Sequence, residues 1–268
     1  MNLNNVVFIT SANESFGSVR LRCQMISKAL GIDFFSTEKL NDKVIDANLE
    51  GKNIFVLMKA DFRLINKLKS KGTVIWDVVD DTPPKDVHRY ITSTAFAGDF
   101  LKLNNFNVIP HAFNPLATIV PTPDIKTAYW IGSLRWKPII HFNHVTINTD
   151  NISQQFLHEN YQKAGVLLNL RIDHPKALFH AQINSGIKLI NAIGYGIPSI
   201  TSLNEPWVKE IGENCTIISH KQNWEKDYEL LVNDSAVYEQ IKSNCLKVRD
   251  KYSLENIKEK YLSLFNSL

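Results

Sequence analysis

Two doubly wound α/β units are the fold class this sequence predicts. Three observations predict it. Short, largely apolar strand candidates alternate with helix candidates through the first half; a segment carrying three prolines, Pro115 to Pro123, then interrupts the pattern; and the alternation restarts beyond it. Strands apolar on both faces belong in a parallel sheet covered by helices on either side. A chain of 268 residues, 44% of them hydrophobic, is long enough to bury two such cores.

In chain order, Val6-Val7-Phe8-Ile9-Thr10 reads as the first strand and Arg20 to Leu30 as its crossover helix. The strand candidates Asp33-Phe34-Phe35-Ser36 and Asn53 to Met58 follow, then a helix near Asp61 to Ser70. Strands at Val74 to Val79, Tyr90 to Ser93 and Asn107 to Pro110 complete the first unit. Proline and turn residues make Pro115 to Pro123 the linker candidate, so the expected division is 1–118 and 119–268. The second unit offers strands at Thr127 to Ile131, His144 to Asn148, Gly165 to Leu170, Pro198 to Thr201 and Cys215 to Ile218. Helices near Trp224 to Val232 and Ser235 to Tyr252 close it. Ser253-Leu254-Glu255-Asn256 has the look of a capped start, so a last helix is expected to Leu268, crossing back to the first unit.

Composition narrows the function classes. No apolar run approaches the ~20 residues that span a bilayer, and the N-terminus leads into a strand, not into a signal peptide, so a cytoplasmic protein is expected. Cys23, Cys215 and Cys245 are few and far apart, which gives neither a disulfide framework nor a metal knuckle. A net charge of +3 permits an anionic ligand without requiring nucleic acid. One stretch is strongly basic, with Lys59, Arg63, Lys67, Lys69 and Lys71 interleaved with Phe62, Leu64, Ile65 and Leu68. It reads as a surface helix with an apolar core face, or as a contact for an anionic membrane surface or polyanionic acceptor. The histidines show no ligand spacing on one helix face.

The densest signal lies between Ser185 and Thr201. Ile187, Ile190 and Ile193 recur every third residue on one helix face, Tyr195-Gly196 ends the helix, and Pro198 opens a buried strand. A helix starting near Ser185 turns unpaired N–H groups and the positive end of its dipole toward its N-terminus. A diphosphate fits there, with Lys188 one turn further in. The same pattern is also an ordinary α/β crossover.

The order of parts resembles the GT-B fold glycosyltransferases, in particular the retaining family 4 type, over nearly the whole chain. Four places carry the resemblance: Phe16-Gly17-Ser18-Val19-Arg20-Leu21-Arg22 after the first strand; Gly72 to Asp81 with its Asp77-x-x-Asp80-Asp81; Ile91 to Phe96 followed by Val108-Ile109-Pro110-His111-Ala112-Phe113; and the Ser185 helix with its Gly-x-Pro strand. Family members carry two glutamates eight residues apart around that helix, the second meeting the nucleotide ribose. Here Ile183 and Asn191 stand in those positions, and Asn191 is left to bond a hydroxyl as a neutral group.

The resemblance implies two Rossmann-like domains facing a central cleft. It implies a nucleotide-sugar donor, UDP-linked by family frequency, held by Gly132, Ser133, Arg135, Lys137, Arg171, Ser185, Gly186, Lys188 and Asn191. On the acceptor side it places Gly17, Arg20 and Arg22, and it offers Asp77, Asp80 and His111 as groups near the chemistry. A carboxylate there orients an acceptor hydroxyl or takes its proton, although the aspartates could equally cap the helix after Thr82-Pro83-Pro84, and a lone histidine at a strand end is more often a packing residue. The expected activity is a retaining, metal-independent sugar transfer with no cofactor beyond the nucleotide sugar. The leaving phosphate would help accept the acceptor's proton, and closure about the linker would exclude water. The expected acceptor is a surface glycan or lipid-linked sugar. Hydroxymethylated DNA is an alternative, and so is a non-catalytic nucleotide-sugar-binding module.

Overall fold

The computed structural model describes residues 3–13, 17–38, 42–120, 124–150, 152–171, 175–203 and 205–268. The chain divides into two compact units, residues 1–111 with Leu254–Leu268, and Ala112–Ser253.

The first unit carries a six-stranded sheet in the order β2-β1-β3-β4-β5-β6, every neighbouring pair parallel. Its strands are β1 (Val6–Thr10), β2 (Asp33–Ser36), β3 (Ile54–Met58), β4 (Thr73–Asp77), β5 (Arg89–Thr92) and β6 (Phe106–Val108). The first crossover starts as α1 (Gly17–Val19), loosens into a π segment over Arg20–Gln24, and tightens again as α2 (Met25–Leu30), which Gly31 ends in the left-handed conformation. The helices α3 (Asp42–Asn48), α4 (Arg63–Lys69) and α5 (Ala95–Phe100) supply further crossovers. The two-residue period of the strands sorts the core. Val7, Ile9, Phe55, Leu57, Val74 and Trp76 pack on one face with Ile45, Leu49, Ile65 and Leu68. Phe8, Val56, Ile75 and Asp77 alternate with them and so belong to the opposite face, where Phe8 meets Tyr261 and Phe265 of the last helix at 5.7 and 6.5 Å.

The second unit has a five-stranded sheet in the order β11-β10-β9-β7-β8, again all parallel. Its strands are β7 (Ala128–Gly132), β8 (Val145–Asn148), β9 (Val166–Asn169), β10 (Ser199–Ser202) and β11 (Thr216–Ser219). Around them run α6 (Gln154–Lys163), α7 (Pro175–Ile183), α8 (Ile187–Tyr195), α9 (Val208–Gly212), α10 (Trp224–Asn233) and α11 (Ser235–Val248). The final helix, α12 (Leu254–Asn266), belongs to the first unit. Its Tyr261 is fully buried there.

Three features differ from the sequence reading. The division falls between His111 and Ala112, ahead of the proline-dense segment. Residues 112–120 are tied to the second unit: Phe113 N–H donates to the Tyr252 carbonyl, Val120 N–H to that of Tyr195, and Arg249 reaches the carbonyl of Ala117. Residues 121–123 lie outside the described residues. Secondly, α8 begins at Ile187 because Gly186 takes a left-handed φ of 65° and cannot continue a helix. Lys188 therefore sits in the first turn, not one turn further in. Thirdly, α3, α5, α6, α7 and α9 form where no helix was expected. The α5 start is fixed by Thr94, whose hydroxyl accepts from Ala97 N–H, and the α6 start by Ser153 in the same manner with Phe156.

Candidate functional site

The order of the second sheet reverses at β7, which lies between β9 and β8, and a doubly wound sheet binds ligands beyond the carboxyl ends of its strands at such a point. The residues there are Gly132 at the end of β7 and Leu170-Arg171 after β9. The N-terminus of α8, Gly186 to Lys188, joins them. Lys188 Nζ stands 4.4 Å from the centroid of the Trp130 ring, whose indole N–H donates to the Leu170 carbonyl at 3.0 Å. A side chain at position 132 would place its Cβ 2.7 Å from Lys188 Nζ, so only glycine leaves the ammonium its space. At Gly186 an added Cβ would meet Ile211 at 2.0 Å, and Asn184 fixes the turn by accepting from Gly186 N–H at 2.7 Å.

Cations and one carboxylate share this edge. Arg171 Nε is ion-paired with Oε1 of Glu205, which is 3% exposed, and Trp207 Nε1 donates to Glu205 Oε2 at 2.5 Å. Arg171 N–H is also held by Ser202 Oγ at 3.1 Å. Burial pushes the Glu205 carboxyl above its ordinary range, against the pull of Arg171, Trp207 and Lys188. Burial is also the main reason that the Lys188 pKa falls from 10.5 to about 7. Arg171 lowers it further, and Glu205 opposes. The edge is thus a desolvated cation site beside the helix N-terminus, suited to an anion that restores the proton to Lys188.

Gly132, Arg171, Gly186 and Lys188 are accordingly brought together. Ser185 is buried just ahead of α8. Ser133, whose hydroxyl bonds Asp150 at 3.2 Å, opens the turn Leu134–Trp136. Arg135 lies exposed in that turn with its guanidinium 5.0 Å from the Trp136 ring, and Lys137 ends it. Asn191 differs from its expected role. Its Oδ1 accepts from Asn114 N–H at 2.9 Å and its amide donates to the Tyr161 hydroxyl at 3.4 Å, so both ends serve the packing of α8. Tyr161 itself stacks on Tyr195 at 4.8 Å. Glu205 and Trp130 were missed from sequence. The readable signal for Glu205 was its place just beyond the carboxyl end of a buried strand.

In the first unit, Asp77 differs from the expected acceptor-facing carboxylate. It continues the row of Ile75 on the covered face of the sheet, is 1% exposed, and accepts from Arg22 Nε with both oxygens at 2.9 and 2.7 Å. The Tyr261 hydroxyl donates to the same carboxylate at 3.1 Å. Burial opposes the Arg22 charge, but Asp77 beside it prevails, and the guanidinium sits above its usual pKa. Asp80 is half-buried in a left-handed turn residue with φ 60°. His111 is 2% exposed, and burial, then Arg22 and Lys59, depress its pKa well below 6.5. Gly17 opens α1, while Arg20 and Arg22 occupy the π segment.

Among the described residues no group of three or more His, Cys, Asp or Glu is placed to hold a metal ion, and no helix is long and apolar enough to cross a membrane. No family model matches the sequence, and no curated protein matches it. In three dimensions the chain is similar to Anabaena Alr3699/HepE in complex with UDP-glucose, with a TM-score of 0.67 at 11% identity, over 98% of this chain and 99% of that one. It is similar also to Alr3699/HepE in complex with UDP, with a TM-score of 0.62 at 9% identity, over 98% and 100%. The likeness does not single out the retaining family 4. Together with the two parallel sheets it establishes the architecture: the chain has the two-domain α/β GT-B fold.

Proposed function

We propose that the protein is a glycosyltransferase that moves a sugar from a nucleoside-diphosphate donor, UDP-linked, to a hydroxyl acceptor. The observation that carries the reading is the Lys188 ammonium, seated on Trp130 beside Arg171 at the start of α8 and at the switch point of the second sheet. Similarity to a protein crystallised with UDP-glucose and with UDP supports the same reading. The diphosphate lies against α8 and Lys188, with Arg171 alongside and Arg135 and Lys137 from the turn after β7. Departure of the nucleoside diphosphate develops negative charge, and preorganised cations and backbone N–H groups in a desolvated pocket stabilise it. That charge stabilisation comes from the protein, so the transfer is metal-independent, and it is retaining in the manner of family 4.

A glycan or lipid-linked sugar is the favoured acceptor. In the basic stretch Arg63 is paired with Asp61, Lys67 and Lys71 with Asp46, and Lys69 with Asp86, which leaves less charge for a DNA backbone or an anionic membrane. The three cysteines are free and buried, which suits action in the reducing cytoplasm. Titration with UDP, UDP-glucose and other nucleotide sugars, followed by measurement of nucleoside diphosphate release with candidate acceptors, tests the proposal. Release that rises with a glycan acceptor is the expected result. Saturable binding with no release under any acceptor overturns catalysis and leaves a binding module, and stimulation by hydroxymethylated duplex DNA overturns the glycan assignment.

A further inference from the structure

The first unit holds a concentration of polar groups of its own. Five buried polar atoms there meet no protein partner: Arg22 Nη1 and Nη2, Ser93 Oγ, and both ring nitrogens of His111. The topology gathers them at one sheet edge. Asp77, which holds Arg22 through Nε alone, pairs in register with Ile91, and Ser93 follows two residues later beyond the end of β5. Ile109 N–H bonds the Thr92 carbonyl, and His111 is two residues past that bond. The His111 ring lies within the electrostatic reach of Arg22 and Lys59. The half-buried Lys59, just past β3, and Asp80 carry this edge toward solvent.

Buried polar atoms without partners are costly, more so where charged, so native proteins satisfy them or use them. Asp77 consumes the side of the guanidinium at Nε and leaves the outer fork intact. Two parallel N–H groups in a plane match the two oxygens of a carboxylate or phosphate. The Arg22 and Asp77 charges cancel, as do those of Lys59 and Asp80, so the geometry of the Arg22 fork and not a net charge suits the edge to an anion. A neutral imidazole donates one hydrogen bond and accepts another, and a serine hydroxyl does both, which suits the hydroxyl groups that flank an acidic group on a sugar. We propose that Arg22, His111 and Ser93 form an oxyanion subsite in the first unit, where Arg22 Nη1 and Nη2 hold a carboxylate or phosphate end-on. On the glycosyltransferase reading, this subsite selects an acceptor that carries such a group. The binding itself does not depend on that reading.

The test uses the full chain carrying Lys188→Gln, so that phosphate binding at the second unit is suppressed. Inorganic phosphate, glucuronate and glucose are titrated by calorimetry. Phosphate or glucuronate should bind at one site per chain while glucose does not; whichever binds identifies the chemistry, and no binding by either anion overturns the proposal. Arg22→Lys keeps a charge for Asp77 and removes the fork, and is expected to weaken the anion by about tenfold. His111→Gln should weaken it about threefold. Unchanged affinity in both variants overturns the subsite. If Arg22→Lys loses its near-ultraviolet dichroism, then His111→Gln and Ser93→Ala decide the matter by the same criterion. Nucleotide titration of the Arg22→Lys chain with Lys188 intact separates the two sites, since a true first-unit site leaves UDP affinity unchanged.

Discussion

Replacing Lys188 with methionine should make the protein more stable at neutral pH and weaken its grip on a nucleotide. The side chain keeps its length and its contact with Trp130 but loses a charge that the fold has desolvated. A lysine whose pKa falls from 10.5 in the unfolded chain to about 7 in the folded one gives up roughly 4–5 kcal/mol at 1.36 kcal/mol per pH unit. Screening of the half-buried side chain reduces that to about 2–4 kcal/mol. The sign follows from proton counting: between pH 7 and 10.5 the unfolded chain binds the extra proton, so wild-type stability rises with pH across that window. Lys188→Met lacks this slope. Calorimetric melting at pH 6.5, 8 and 9.5 should show the variant melting higher by about 5–10 °C at the lowest pH, with the difference shrinking as pH rises. A variant that melts lower at pH 6.5, or a difference that does not change with pH, refutes the desolvated ammonium. The same variant should bind UDP about 10- to 100-fold more weakly, because a charge-assisted hydrogen bond is lost. Wild-type affinity for UDP should itself fall as pH rises above about 7, since each bound diphosphate must then recruit a proton.

Asp77→Asn should destabilise the first unit by about 3–5 kcal/mol, the cost of stranding a buried Arg22, and guanidinium denaturation would show it; a loss below about 1 kcal/mol would contradict the buried pair. Asn191→Ala should cost about 1–3 kcal/mol, by leaving Asn114 N–H unsatisfied, while UDP affinity stays within about twofold; a large affinity loss would restore Asn191 to the nucleotide. Gly186→Ala should lower both melting temperature and UDP affinity, since a left-handed φ and a Cβ beside Ile211 strain the start of α8 by about 1–3 kcal/mol, and an unchanged melt would count against that geometry.

The fold was legible because its strands are short, largely apolar and separated by helix-length segments, which leaves a parallel sheet few alternatives. The last helix was equally plain from the capped start at Ser253-Leu254, and in the structure it buries Ile257, Tyr261, Leu264 and Phe265. The candidate site was legible only in part. Glycine and lysine around α8 announced themselves, because Gly186 and Gly196 bracket the helix and Lys188 is its one cation. Asp77 misled for a physical reason: a carboxylate at a strand end reads as facing a ligand, whereas its parity along β4 turns it onto the covered face, where Arg22 waits 55 residues earlier in the chain. Asn191 misled similarly, since its partner Asn114 lies 77 residues away and no local pattern records it. Glu205 offered only its place after a buried strand, with no periodic pattern beside it, and its weight comes from Arg171 and Trp207 converging on it.

The passage of residues 254–268 back into the first unit has a consequence for how the molecule is made. During synthesis the first hundred or so residues emerge with the Phe8 face of their sheet uncovered and with Arg22 and Asp77 lacking the Tyr261 hydroxyl. The intervening second unit is contiguous in sequence and can complete its own core as it leaves the ribosome. The unit that starts first therefore finishes last. A chain that stops before Leu254 is a folded second unit attached to an unfinished first one, with an apolar sheet face open to aggregation. A fusion joined directly after Leu268 acts on the helix that closes the core of residues 1–111.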